Sequence, residues 1–115
     1  MNAFRLLLVV LLLAVVLYTI PVIANHGLLS LLPTFFADMA KMGWAGQFNL
    51  DFMGFLTLAG LWTAWRNDFS ALGLVLGVVA FFGGIPFLTT YLLFLSFQSG
   101  GDVKVMLLGD RRARS

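Results

Sequence analysis

LLLVVLLLAVVLYTIPVIAN, residues 6–25, runs from Arg5 to His26 without one charged side chain. Twenty residues at about 1.5 Å each make a helix about 30 Å long, the thickness of a bilayer's hydrocarbon core. The rest of the chain has the same character. Of 115 residues, 61% are hydrophobic and 10% charged, mean hydropathy is +1.00, and Glu and Cys are absent. Soluble domains are about 25% charged, so the composition excludes an ordinary soluble domain. The reading is an all-α integral membrane protein with three transmembrane helices, a short interfacial helix and a surface-lying C-terminal tail. Three crossings take up nearly the whole length and leave no room for a separate catalytic, nucleotide-binding or receptor domain. A secretory signal peptide competes for the first run, because Arg5 leads it and Val22 with Ala24 offers a small-residue cleavage site before Asn25. We expect the segment to be retained as the first crossing, residues 5–25.

After that run, residues 28–43 are apolar but interrupted by Pro33 and Gly43, too short to span, and should lie along the surface. From Thr34 the pattern is helical. Phe35, Phe36, Met39 and Met42 would face lipid, with Thr34, Asp38 and Lys41 opposite. The second crossing is placed at residues 49–65, with Trp62 and Trp65 as interfacial anchors and Arg66 at the carbonyl end of the helix. The loop from Arg66 to Ser70 suits a tight helical hairpin, and Asp68 or Ser70 can cap the next helix. That third crossing, residues 71–97, would be about 40 Å long if straight, so it must tilt, kink or protrude. Gly83-Gly84-Ile85-Pro86 supplies the kink, because Pro86 cannot donate to the carbonyl of Phe82. In the tail, residues 98–115, Asp102 can cap a short turn that Gly109 ends before the Arg cluster. Orientation stays open at this level: counting cations over three crossings favours an internal C-terminus, while Arg5 beside the amino terminus favours an internal N-terminus.

Small residues form one stripe on the third helix, Gly73, Gly77, Ala80 and Gly84, and a matching one on the second, Thr57, Gly60 and Ala64. Such stripes let helix backbones approach closely in lipid. Asp51 is the one acid inside a crossing, and a carboxylate at that depth is a functional candidate by default. It would fall level with Gly83, Gly84 and Pro86, where it can donate to a backbone carbonyl when protonated or hold a cation when ionised. Phe55, Leu58, Trp62 and Trp65 follow it along the same face and can line a slot for a flat or polyunsaturated ligand. His26, just outside the first crossing, is a candidate ligand for a haem- or chlorophyll-type metal centre. One His and no Cys give no metal site of the chain's own, and neither a catalytic serine constellation nor a phosphate-binding glycine loop is present. Lys41, Arg66, Arg111, Arg112 and Arg114 are assigned to lipid headgroups. No basic face with interleaved aromatics points to nucleic acid.

Asp51-Phe52-Met53-Gly54-Phe55, then Trp62, Trp65 and Arg66, and later Tyr91-Leu92-Leu93 ahead of Leu107-Leu108-Gly109-Asp110-Arg111, form a recognisable series. It resembles a family of small bacterial three-helix membrane proteins known only as a domain of unknown function. The resemblance covers roughly residues 51–112. In the third helix the family pattern has Gly-Asn where this chain has Gly83-Gly84, so an amide contact at the break does not carry over. The resemblance implies a bacterial cytoplasmic membrane, a multi-pass architecture and no assigned role.

The functional expectation is a non-enzymatic accessory or scaffold protein that docks laterally on a larger membrane complex or on itself. Its partners would be membrane lipids and another membrane protein or a second copy, and no cofactor is expected. The alternative is a lipid- or pigment-binding protein with Asp51, Phe55, Trp62, Gly83, Gly84, Pro86 and His26 as candidate ligand residues. A third reading, proton or ion transport, rests on Asp51.

Overall fold

The computed structural model describes residues 1–114. They form α1 (Asn2–His26), a 3-10 turn (Leu28–Ser30), α2 (Leu31–Ala40), α3 (Trp44–Arg66), α4 (Ala71–Gln98), α5 (Val103–Leu108) and α6 (Asp110–Ala113). By length and composition alone, two of these, α1 and α4 counted from end to end, are long and apolar enough to cross a membrane.

α1 contacts the rest of the chain near its beginning. Leu8 is its one buried residue, and Arg5 ties the helix to the end of α4: its Nε donates to Ser96 Oγ and its Nη2 to the Ser96 carbonyl, both at 2.9 Å. The guanidinium also lies 4.0 Å from the centre of the Phe97 ring. A cation at the last carbonyls of a helix is where the backbone dipoles favour it.

α2 begins at Leu31 rather than Thr34, and Pro33 sits inside it. Pro33 is the third residue of the helix, and an N–H there has no partner within the helix, so proline breaks no bond. The packed face also differs from the sequence reading. Phe35, Asp38 and Met39 are half-buried against α3, where a Cβ on Gly46 would sit 2.6 Å from the Asp38 carbonyl oxygen, and Asn49 Nδ2 donates to the Phe35 carbonyl at 3.0 Å. Phe35 and Met39 therefore turn inward beside Asp38, because a close backbone approach at Gly46 outweighs the simple apolar pattern. α3 itself starts five residues earlier than residue 49, with Gly43 at its N-cap.

α3 ends in a Schellman arrangement, with the Phe69 N–H bonded to the Ala64 carbonyl and the Asp68 N–H to the Trp65 carbonyl, both at 2.9 Å. Asp68 takes the left-handed position of that motif, with φ 59°. Ser70 then caps α4 by accepting from the Gly73 N–H at 3.1 Å.

The break expected in the third apolar run is present within residues 83–86, and it is sharper than a kink. At Gly84 the backbone takes φ 60° and ψ −141°, outside the helical region and open to glycine because it lacks a Cβ. The chain reverses there. The first arm, 71–83, runs down α3, with Gly73 beside Ala64, Gly77 against Gly60, and Gly84 reaching Phe52 and Leu56. The second arm, 85–98, returns: Leu88 lines a groove with Ala59 and Trp62, and the Tyr91 ring lies 6.0 Å from that of Trp62. Pro86 falls in the first turn of the returning arm, where the missing N–H breaks no ladder bond. Pro86 therefore costs the returning arm no bond of its own, and α4 is a helical hairpin.

The reversal decides the shape of the molecule, which measures 48 × 27 × 24 Å. The end of α4 comes back to the level of the α3–α4 turn, and Gly101 lies against Met1. Both chain ends therefore share one end of the molecule. Arg5, Arg66, Lys104, Arg111, Arg112 and Arg114 gather there, six of the seven Lys and Arg, and Lys41 stands at the opposite end beside α2.

Candidate functional site

At the basic end, α3 and the tail cap one another. Asp102 starts α5 by accepting from the Lys104 N–H at 3.0 Å. The Val105 carbonyl accepts the capping Gly109 N–H at 2.9 Å, the carbonyls after it have no partner within so short a helix, and α3 supplies further donors. Arg66 Nε donates to the Met106 carbonyl at 2.6 Å, Arg66 Nη2 to the Val105 carbonyl at 3.1 Å, and Trp62 Nε1 to the Leu107 carbonyl at 3.0 Å. In return, Arg112 Nη1 donates to the Trp65 carbonyl near the end of α3 at 2.8 Å, and its guanidinium lies 4.1 Å from the Trp65 ring centre. Gly109 makes the approach possible, since a Cβ there would stand 3.2 Å from the Arg66 carbonyl oxygen, and its φ is 84°.

Asp68 closes this arrangement by pairing with Arg111 and, at 2.9 Å, with Arg112. The hydrogen bond from Arg111 holds the Asp68 carboxyl below the usual carboxylate range against a smaller opposing effect of desolvation, and the charges of both arginines add to it. The same hydrogen bond raises the Arg111 guanidinium. Behind the pair, Asn67 Nδ2 donates to the Tyr91 hydroxyl at 2.9 Å and to the Thr63 carbonyl at 2.8 Å. Arg66, Asn67, Asp68, Tyr91, Arg111 and Arg112 line a cavity of about 490 Å³ together with Gln98 and Asp110, and Leu72, Leu76 and Phe94 of the two arms add apolar surface to a mostly polar lining.

A second concavity lies lower, between α3 and the returning arm. It is an apolar groove of about 500 Å³ lined by Phe55, Leu58, Trp62, Gly84 and Leu88 among others. Three of the candidate ligand residues, Phe55, Trp62 and Gly84, meet in it, and Leu58 and Trp62 continue it toward Trp65. The remaining candidates lie elsewhere. Asp51 is exposed and makes no polar contact among the described residues; Phe52 and Leu56, not Asp51, face Gly84. Gly83 is occupied by its neighbour, since a Cβ there would be 2.8 Å from Phe87 Cβ. Pro86 is half-buried in the hairpin. His26 lines a separate groove of about 460 Å³ at the opposite end, with Thr34, Asp38 and Asn49. No group of three metal-ligating side chains occurs among the described residues.

The small residues divide likewise. Gly60 and Gly77 face each other so closely that a Cβ on either would stand 2.9 Å from the other's carbonyl oxygen, and Ala64, Gly73 and Ala80 are buried beside them. Thr57 is outside this contact: it is exposed and donates to the Met53 carbonyl of its own helix. Among the cations assigned to headgroups, Arg66 and Arg112 are half-buried in protein contacts, Arg111 pairs with Asp68 while its side chain stays 72% exposed, and Lys41 lies 4.0 Å from Asp38. Arg114 is exposed. The sequence reading passed over Arg5 with Ser96, and Asn67 with Tyr91, which lie 91 and 24 positions apart; no local spacing could have joined them.

Comparison with known proteins gives no matching family model, curated protein or solved structure.

Proposed function

We propose that this is a small multi-pass protein of the bacterial cytoplasmic membrane, as the sequence resemblance implies, acting as a non-enzymatic accessory or scaffold that docks laterally on a membrane partner or a second copy. The observation that carries this reading is α1. Leu6, Val10, Leu13, Leu17 and Ile20 are each more than half exposed, so most of a 25-residue helix presents bare apolar surface. Such a face requires lipid or another protein around it. In the topology we propose, α1 and α3 cross, and α4 enters and leaves from one side as a re-entrant hairpin. The basic end then faces the cytoplasm, since Lys and Arg concentrate on that side of membrane proteins.

Purification from native membranes at low detergent tests the role. A stoichiometric second polypeptide, or an assembly larger than the 12.6 kDa chain, is expected; a lone monomer would remove the accessory reading. The apolar groove at Phe55, Trp62 and Gly84 favours a second reading, lipid or pigment binding, for which a stoichiometric small molecule should travel with the protein. The third reading, proton or ion transport, rests on Asp51, which is exposed on α3 while Phe52 and Leu56 face the hairpin tip at Gly84.

A further inference from the structure

The cavity at the mouth of the α4 hairpin joins three properties that a single ligand class satisfies. Its lining carries Arg66, Arg111 and Arg112 against the two carboxylates of Asp68 and Asp110, it includes apolar surface from Leu72, Leu76 and Phe94, and it opens at the end where six of the seven Lys and Arg collect. Trp62 and Trp65 stand at the same level, as aromatic residues do at a headgroup boundary. We propose that this cavity binds the phosphate of an anionic phospholipid, with the first part of an acyl chain against Leu72, Leu76 and Phe94. The proposal rests on the membrane reading above and adds a site and a ligand class to it.

Asp68 and Asp110 are the carboxylates of the cavity, and Asp68 is the one paired with Arg111 and Arg112. Its side chain is 49% exposed, so its pairs with Arg111 and Arg112 lie in a well-screened environment and exchange readily. A phosphodiester offers guanidinium groups more acceptor oxygens at the same charge and is a favoured partner of the planar donor fork. Binding therefore exchanges Asp68 for phosphate at Arg111 and Arg112. Arg112 keeps its bond to the Trp65 carbonyl and phosphate takes the place of the Asp68 carboxylate beside it, so the lipid-bound tail stays docked.

The opposite signs of two substitutions make the test. The full chain is placed in nanodiscs of phosphatidylcholine with a small fraction of phosphatidylglycerol, extracted gently, and the retained lipid is counted by native mass spectrometry. One phosphatidylglycerol per chain should be enriched about fivefold over its share, the effect of about 1 kcal/mol that one basic residue contributes at an anionic lipid surface. Arg111→Gln should lower that enrichment and Asp68→Asn should raise it. Leu76→Trp, which fills the apolar part of the lining without altering charge, should abolish retention, and thermal unfolding shows whether each variant is folded. Equal retention of the two lipids, or a fall in Asp68→Asn matching that in Arg111→Gln, overturns the proposal. So does displacement of the lipid by millimolar inorganic phosphate, which would make the site one for a free anion. Resistance of the protein to alkaline extraction from membranes is scored in parallel, so loss of lipid selectivity with insertion intact rejects this site alone and leaves the membrane reading standing.

Discussion

Asp68 carries two duties that the sequence reading treated as one. It was a candidate cap for α4, a role that Ser70 fills; Asp68 instead occupies the left-handed position ending α3 and faces the tail cations. Aspartate tolerates that conformation better than most residues because its short polar side chain bonds locally. Its carboxyl is held low by the Arg111 hydrogen bond and by the two positive charges. A carboxyl depressed in the folded state contributes stability that is present above its unfolded pKa, about 3.9, and is lost as pH falls through the folded value. Docking of the tail should thus be constant from neutral pH down to about 4 and weaken below it. Fluorescence of Trp65, whose ring carries Arg112, reports the change in detergent. Asp68→Asn should show a weaker tail contact at neutral pH and no acid transition in this range. An unchanged acid transition in that variant would assign it to another group.

At the scale of elements, the contact between Gly60 and Gly77 fixes how α3 meets the first arm of α4. Neither position has room for a side chain, because the opposing atom is a backbone carbonyl oxygen 2.9 Å from where a Cβ would stand. Gly77→Leu should force the helices apart at a cost of about 1–3 kcal/mol, the usual range for overpacking, and lower the thermal midpoint in detergent. Gly54→Leu is the matched control, since a Cβ at Gly54 meets nothing within 4 Å. Equal midpoints for the two variants would mean that this contact does not hold the hairpin. Small-residue spacing made these glycines legible in the sequence, as apolar run length did for α1 and turn chemistry for the α3–α4 loop. The hairpin in α4 was not legible. Residues 71–101 contain no charged side chain, so hydropathy reads through the reversal, and Gly83-Gly84-Ile85-Pro86 announces a break without its angle. That angle depends on Phe52 and Leu56 across the interface, 32 and 28 positions earlier in the chain. α2 was misread for a related reason: its inward face is set by the backbone of Gly46, a partner that periodicity within α2 cannot name.

For the whole molecule, the reversal changes what the charges mean. With three complete crossings the termini lie on opposite sides, Arg5 and Arg66 oppose the tail cations, and no orientation prevails. With α4 folded back, Met1 lies against Gly101 and Arg111 and Arg112 reach Asp68, so the same cations add instead of cancelling. The ligand residues were harder to place than the helices for the same reason: Phe55 and Trp62 share a face of α3, but only the returning arm makes a groove of it, and Asp51 is left outside because depth along a helix does not fix direction around it. The topology has a clean measurement because the chain has no Cys. Single variants Asn2→Cys, Met42→Cys and Arg114→Cys introduce one thiol each, and Met42 is already 90% exposed. In intact bacterial spheroplasts a membrane-impermeant maleimide should label Met42→Cys and leave Asn2→Cys and Arg114→Cys unlabelled until the membrane is opened. Labelling of one terminal variant without the other would restore an odd number of crossings and unfold the hairpin from the description. Labelling of both termini with protection of Met42→Cys would keep the hairpin and reverse the proposed orientation, against the general bias of Lys and Arg toward the cytoplasmic side.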